Sequence, residues 1–343
     1  MADPVTAPAE PLLRVEGVTK TFRVPGRSRR GGLRALDGVD LTLGRGETLG
    51  LVGESGCGKS TLARVLMLLE RPDGGTVRTA GVDPFALRGK ELLAWRRRIQ
   101  MVFQDPYASL NPRLTAAQLI GEPWLTHRDI VPPERRAARV RELLELVGLR
   151  ASDADRYPQE FSGGQRQRIG IARALALGPD VLICDEPVSA LDLSVQAQVL
   201  NLLADLQAEL GVSYLFISHD LSVVRHVAER VAVMYLGRVV ESGPVDEVFA
   251  APAHPYTAAL LSAAPSLDAV REGSRERIVL KGEVPSPLDP PSGCRFRTRC
   301  WQAEPRCADV VPPFEPAPGG PGHRVACHLP LSDRAQATEH ALQ

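Results

Sequence analysis

Gly53-Glu54-Ser55-Gly56-Cys57-Gly58-Lys59-Ser60-Thr61 is the stretch whose reading decides the fold. It fits the phosphate-binding pattern G-x-x-x-x-G-K-[ST] without a mismatch. Residues 47–52 before it read as a buried strand, and residues 62–69 after it as a helix, which is the context the pattern needs. Glycines let the backbone turn tightly, so that successive N–H groups point at an anion, and the positive end of the helix faces the same point. Lys59 is expected to reach the β- and γ-phosphates of a nucleotide and the Ser60 hydroxyl to take a place on Mg²⁺. A glycine-rich turn matching by chance is the alternative, and the rest of the chain decides between them.

The chain has 343 residues, enough for one large domain with an appendage or two modest ones, and 44% of them are hydrophobic. No apolar run approaches the roughly 18–20 residues that span a bilayer. Met1-Ala2-Asp3-Pro4 has neither the basic start nor the apolar core of a secretory signal, so a cytoplasmic location is expected. Lys plus Arg and Asp plus Glu each number 41, a zero formal charge that offers no general attraction for nucleic acid.

Residues 1–11 are rich in Pro and Ala and read as disordered; residues 12–18 alternate like a strand. Phe22 follows, an aromatic that can either stack on a base or pack locally. Residues 27–32 read as a solvated basic loop. Residues 36–43 read as a strand, 72–75 as a turn, 91–98 as a short helix, and 99–103 as a buried strand ending in Gln104. Residues 113–160 read as mainly helical, with a helix over 135–147 that Gly148 stops. Ser162-Gly163-Gly164-Gln165 opens a helix running to about Leu177, either as a second anion site or as an ordinary Ser N-cap.

Residues 181–186 form an apolar strand closed by Asp185 and Glu186, at the strand end where ligands of open α/β sheets bind. Asp185 is placed to hold Mg²⁺ and Glu186 to polarise a water for attack on the γ-phosphate; exposed acids at a turn are the plain alternative. Ser189-Ala190-Leu191-Asp192 precedes a helix over 194–210. A strand over 213–217 delivers His219 to the same sheet edge. Residues 231–235 and 238–241 read as a hairpin around Leu236-Gly237, and beyond about residue 250 Pro becomes dense.

Together these residues resemble the ATP-binding subunits of ABC transporters, over about residues 12–250. The parts occur in that family's order: an A-loop aromatic at Phe22, the Walker A loop at 53–61, the Q-loop at Gln104, the signature Ser162-Gly163-Gly164-Gln165, the Walker B at Asp185 with Glu186, the D-loop Ser189-Ala190-Leu191-Asp192, and the switch His219. The strings GESGCGKST, MVFQDPYASLNPR, FSGGQRQRIGIARAL and HPYTAALLSAAP (residues 254–265) are similar to the oligopeptide/dipeptide importer branch, nearest the second, "F-type" member of its paired ATPases.

The resemblance implies an α/β fold: a P-loop NTPase core of RecA-like type, an antiparallel β subdomain, a helical subdomain at about 105–177, and a short Cys- and Pro-rich extension over 251–335 before a disordered tail at 336–343. It implies two cassettes closing head to tail over two ATP molecules. Phe22 then stacks on adenine, and Gly53, Glu54, Ser55, Gly56, Cys57, Gly58, Lys59, Ser60 and Thr61 surround the phosphates. Gln104 senses Mg²⁺ and the γ-phosphate, Glu186 is the catalytic base, and His219 contacts the γ-phosphate. The signature residues cap the partner's ATP. Implied partners are a second ATPase subunit in a heterodimer, two transmembrane permease subunits that hold this subunit at the cytoplasmic face of the membrane, and an extracytoplasmic solute-binding protein. Peptide is the expected cargo. Nickel or another small solute is an alternative within the branch, and a soluble ABC ATPase an alternative outside transport.

Four of the six Cys, namely Cys294, Cys300, Cys307 and Cys327, follow the spacing C-x₅-C-x₆-C-x₁₉-C. In a reducing compartment clustered thiols point to metal rather than disulfides. The spacing is not the paired C-x₂-C of common zinc sites, and Cys-only ligation suits an iron–sulfur cluster; members of the resembled branch carry a 4Fe–4S cluster here. His323 and His328 beside the last Cys leave zinc open, and unligated thiols are the third reading.

Overall fold

The computed structural model of the chain describes residues 10–24, 32–263, 278–318 and 320–332. Most of the N-terminal stretch, most of the basic loop and the tail at 336–343 lie outside these residues. Eleven strands are described: β1 (Leu13–Phe22), β2 (Leu33–Leu43), β3 (Thr48–Val52), β4 (Gly74–Thr79), β5 (Ile99–Val102), β6 (Val181–Asp185), β7 (Ser213–Ser218), β8 (Arg230–Tyr235), β9 (Arg238–Pro244), β10 (Glu315–Ala317) and β11 (Gly320–Val325).

They form two sheets. A three-stranded antiparallel sheet has the order β2-β1-β4, and an eight-stranded sheet the order β10-β11-β9-β8-β3-β7-β6-β5. In the large sheet β5, β6, β7, β3 and β8 run parallel, while β9 and β11 are added antiparallel. Every residue of β3 and β7 is buried, which matches their near-continuous apolar runs: parallel strands are covered on both faces. Alternate side chains go to different cores. Leu182 and Cys184 of β6 join the helical side, whereas Val181 and Ile183 face the small sheet and the helix Lys59–Leu66.

The region expected to be mainly helical is broken into short pieces. Ala116–Gly121, Pro123–Thr126 and Arg136–Leu146 are α-helical, and three single 3₁₀ turns lie between or after them. Pro123, Pro132, Pro133 and Pro158 each remove a backbone donor, so no long helix can run through. Gly148, at φ 72°, ends the longest piece as its sequence position suggests. Trp124 fastens the region to the core: it is fully buried, and its indole N–H donates to the Ala176 carbonyl at 2.9 Å.

Two features were not legible in the sequence. β4 follows a turn that hides it, and Gly75 sits so close to β1 that a Cβ there would lie 2.4 Å from the Gly17 carbonyl oxygen. In the Pro-dense C-terminal segment, β11 pairs with β9 through Arg324 opposite Ser242 and Val325 opposite Glu241, so this segment extends the main sheet. The join is polar at its centre. The Glu241 carboxylate, fully buried, accepts the backbone N–H groups of Ala253 (2.6 Å) and His254 (2.9 Å) and lies 2.7 Å from Nε2 of the buried His323.

Candidate nucleotide site

β3 delivers the phosphate-loop sequence at the C-terminal edge of the sheet, and the following helix starts at Lys59. Two glycines are required by close approach rather than by turning alone. A Cβ at Gly53 would lie 2.2 Å from the Met234 carbonyl oxygen, and one at Gly58 2.5 Å from that of Ala35. The hairpin turn between β8 and β9 seats the loop from below: Leu236 and Gly237 have φ 42° and 81°, and the Gly237 N–H donates to the Cys57 carbonyl at 2.7 Å. Lys59 is buried, and its Nζ donates to the carbonyls of Gly53 (2.7 Å) and Glu54 (3.1 Å), folded over the loop it serves.

The neighbouring strands bring the acids. Asp185 ends β6 and shares a hydrogen bond with the Ser60 hydroxyl. Burial raises the Asp185 carboxyl above the usual carboxylate range and the adjacent Glu186 charge adds to this, while Ser60 and Lys59 pull the other way. A half-buried carboxylate beside a hydroxyl, with a net deficit of positive charge, is a donor set suited to Mg²⁺. Glu186 adopts φ 48°, rare for a residue with a side chain, and its N–H is held by the Ile217 carbonyl at 2.9 Å. Its carboxylate is gripped on both sides: Gln104 Nε2 donates to Oε2 at 2.8 Å, and His219 Nδ1 lies 3.1 Å from Oε1.

These residues surround one cavity of about 660 Å³, a size suited to a nucleotide. Phe22, Ser55, Gly56, Gly58, Lys59, Ser60, Thr61, Gln104, Asp185, Glu186 and His219 line it. Phe22 keeps the Lys20 ammonium 5.3 Å from its ring centroid. Ala35, Leu236, Gly237 and Pro287 also line the cavity and were not foreseen, since their contribution is backbone or apolar surface that carries no motif.

Ser162, Gly163, Gly164 and Gln165 are not among the residues lining this cavity. Ser162 caps the helix Gly163–Leu175 in a reciprocal box with Gln165, at 3.3 and 3.0 Å. Gly164 is pressed against Val195, where a Cβ would come within 2.3 Å of a methyl group, and Gly163 faces Leu191. The turn Ser189-Ala190-Leu191-Asp192 therefore packs on the signature turn. Asp192 accepts from the Val195 N–H at 3.0 Å and caps the helix Leu193–Leu210, whose first residue is 83% exposed.

The four C-terminal cysteines come together, but not as expected for a metal. Cys294 donates its backbone N–H to the Cys307 carbonyl at 2.8 Å. Burial pushes the Cys300 and Cys327 thiols up to about 12, and the charges of the neighbouring thiols add to it. Yet among the described residues no group of three or more His, Cys, Asp or Glu side chains is disposed to hold a metal ion. Zinc through the flanking histidines has no support either, because His323 is committed to Glu241 and His328 Nε2 to the Val310 carbonyl at 2.9 Å.

Comparison with known proteins decides the family. The chain is 55% identical, over 94% of its length and 90% of the relative's, to a probable peptide ABC transporter ATP-binding protein of Sinorhizobium fredii. It belongs to the ABC transporter ATP-binding subunits. The ABC transporter family matches residues 36–189, and the family described as the oligopeptide/dipeptide transporter C-terminal region matches residues 240–307. The oligopeptide transport ATP-binding protein AppF of Bacillus subtilis is 53% identical over 93% of this chain and 98% of its own. The dipeptide transport ATP-binding protein DppF of Escherichia coli is 53% identical over 86% of each. Among solved structures, the ATP-binding cassette MJ0796, a dimer bound to ADP and phosphate, superposes with a TM-score of 0.60 at 32% identity, covering 68% of this chain and 98% of that one. The expected cassette fold is thereby borne out. No described helix of this subunit is long and apolar enough to cross a membrane.

Proposed function

We propose that this ABC subunit hydrolyses ATP to drive the uptake of dipeptides and oligopeptides through membrane subunits supplied by other chains. One observation carries the proposed mechanism. The phosphate loop, the two strand-end acids, Gln104 and His219 share one cavity, while the signature turn of the same chain lies outside it. A second cassette placed head to tail would bring its signature turn over this cavity and complete it. In that arrangement Lys59 swings from the loop carbonyls to the β- and γ-phosphates. Ser60 and Asp185 would hold Mg²⁺, with Gln104 lining the same cavity. Mg²⁺ supplies charge neutralisation at the phosphates. Glu186, oriented by Gln104 and His219, accepts the proton of the attacking water, and His219 faces the γ-phosphate. Phe22 offers a stacking face to adenine.

The importer reading is supported by the C-terminal match and by relatives named for oligopeptide and dipeptide transport, which align over most of this chain. It places the subunit at the cytoplasmic face of the membrane. Its partners there are a second, non-identical ATPase and two permease subunits, with a solute-binding protein on the far side. A cluster held by Cys294, Cys300, Cys307 and Cys327 has in its support only the mutual proximity of the four thiols. Iron and acid-labile sulfide measured on anaerobically purified protein test it: stoichiometric amounts uphold it, and their absence retires it.

Uptake by cells lacking the subunit, complemented with wild type or Lys59→Ala, tests the function. Labelled dipeptides, longer peptides and nickel form the panel. Peptide uptake restored by wild type and by less than about 1% with Lys59→Ala is expected, since the lysine contacts the phosphates throughout the reaction. Loss confined to nickel would replace the cargo, and no transport defect would favour a soluble ATPase.

A further inference from the structure

Glu54 is the single acidic residue of the phosphate loop, and it is held at three points. Its N–H donates to the Tyr256 hydroxyl at 2.9 Å, and its carbonyl accepts from Lys59. Its carboxylate takes a two-pronged grip from Arg299, Nη1 to Oε2 at 2.8 Å and Nη2 to Oε1 at 3.1 Å. Tyr256 is fully buried, and the Arg299 side chain is only 8% exposed. Both lie in the C-terminal segment, 202 and 245 residues from Glu54 in the chain. Paired forks of this kind fix direction as well as charge.

The loop is read above as the seat of a polyanion, and the inference rests on that reading. A free carboxylate at its second position would repel the phosphates across a short, poorly screened distance. Arg299 both neutralises that charge and draws it toward the C-terminal segment. Tyr256 meanwhile turns the Glu54 peptide N–H toward the same segment. We propose that Arg299 and Tyr256 are positioning residues for the phosphate loop, so that the C-terminal segment sets the affinity of the cassette for MgATP. Neither is among the residues lining the cavity, and both act through Glu54.

A double-substitution cycle on the full-length subunit tests this, with the MgATP dissociation constant read by calorimetric titration. Arg299→Ala is expected to weaken binding about 5–10-fold in the wild-type background, because it leaves an unpaired carboxylate beside the phosphates. In the Glu54→Gln background, where no charge remains to be neutralised, the same substitution is expected to cost less than about twofold. Arg299→Lys keeps the charge and should recover most of the affinity. An equal loss in both backgrounds, or no loss in either, overturns the proposal, since a general effect on folding would not depend on the Glu54 charge. If Arg299→Ala does not fold, Tyr256→Phe removes only the hydroxyl and is expected to weaken binding about 2–3-fold; wild-type affinity there overturns it as well. Failure of the wild-type chain to bind MgATP would instead defeat the reading of the loop itself.

Discussion

Glu186→Gln is expected to slow ATP hydrolysis by about 10²–10⁴-fold while leaving ATP bound, so that the subunit accumulates as a closed dimer with its partner cassette. The substitution removes the basic oxygen and almost nothing else. Glu186 sits at φ 48°, fixed by its N–H bond to the Ile217 carbonyl, and an amide of the same shape can occupy that place. Gln104 and His219 approach the carboxylate from opposite oxygens, so its direction is set by neighbours that remain. The phosphate loop, 2.7 Å from Lys59 Nζ at the Gly53 carbonyl, is untouched. Single-turnover hydrolysis with the assembled ATPase pair, followed by size-exclusion chromatography in MgATP, reads both effects. Turnover at the wild-type rate would show that another group takes the proton.

Asp185→Asn is expected to separate stability from activity. In the nucleotide-free protein, burial and the Glu186 charge disfavour the Asp185 carboxylate and raise its pKa above the ordinary 3.8. The native state therefore holds this proton to higher pH than the unfolded chain does. The contribution of the group to stability grows as pH falls through the native pKa toward the unfolded one, and above that window the ionised form is a net cost. The neutral amide escapes that cost and can still accept from the Ser60 hydroxyl. The variant should melt at a higher temperature than wild type at neutral pH without nucleotide. If Asp185 is the metal ligand proposed above, the variant should lose the extra stabilisation that MgATP confers and about 10²-fold or more of turnover. In the wild-type protein, Mg²⁺ affinity should decline as pH falls through the same pKa, because proton and metal compete for one carboxylate. A lower melting temperature for the nucleotide-free variant would mean that Asp185 is a structural tie.

The site was legible wherever its logic is local. The phosphate loop, the acids ending β6 and the Ser162–Gln165 cap each announce themselves within a few residues, because glycine placement, strand period and capping chemistry are short-range rules. The five central parallel strands read correctly for the same reason: burial on both faces writes an apolar run into the chain. Contacts between distant segments left no such trace. Arg299 is one arginine among many until the fold brings it to Glu54, and β11 is disguised by the prolines and glycines around it. The four thiols mark the opposite limit. Spacing and residue type suggest a metal, while among the described residues no group of three or more His, Cys, Asp or Glu side chains is disposed to hold one.

The buried carboxylate of Glu241 gives the join between β9 and the C-terminal segment a meaning for how the protein can be divided. A chain ended at residue 250 would keep every nucleotide-site motif. It would lose all three donors to an anion that water does not reach, and it would leave the backbone of β9 without its outer neighbour. Such a fragment is not a smaller enzyme but a wounded one, open along a sticky margin. The C-terminal segment is therefore expected to melt and refold with the sheet as one cooperative unit, and any trading of this segment between subunits must carry Glu241 with it.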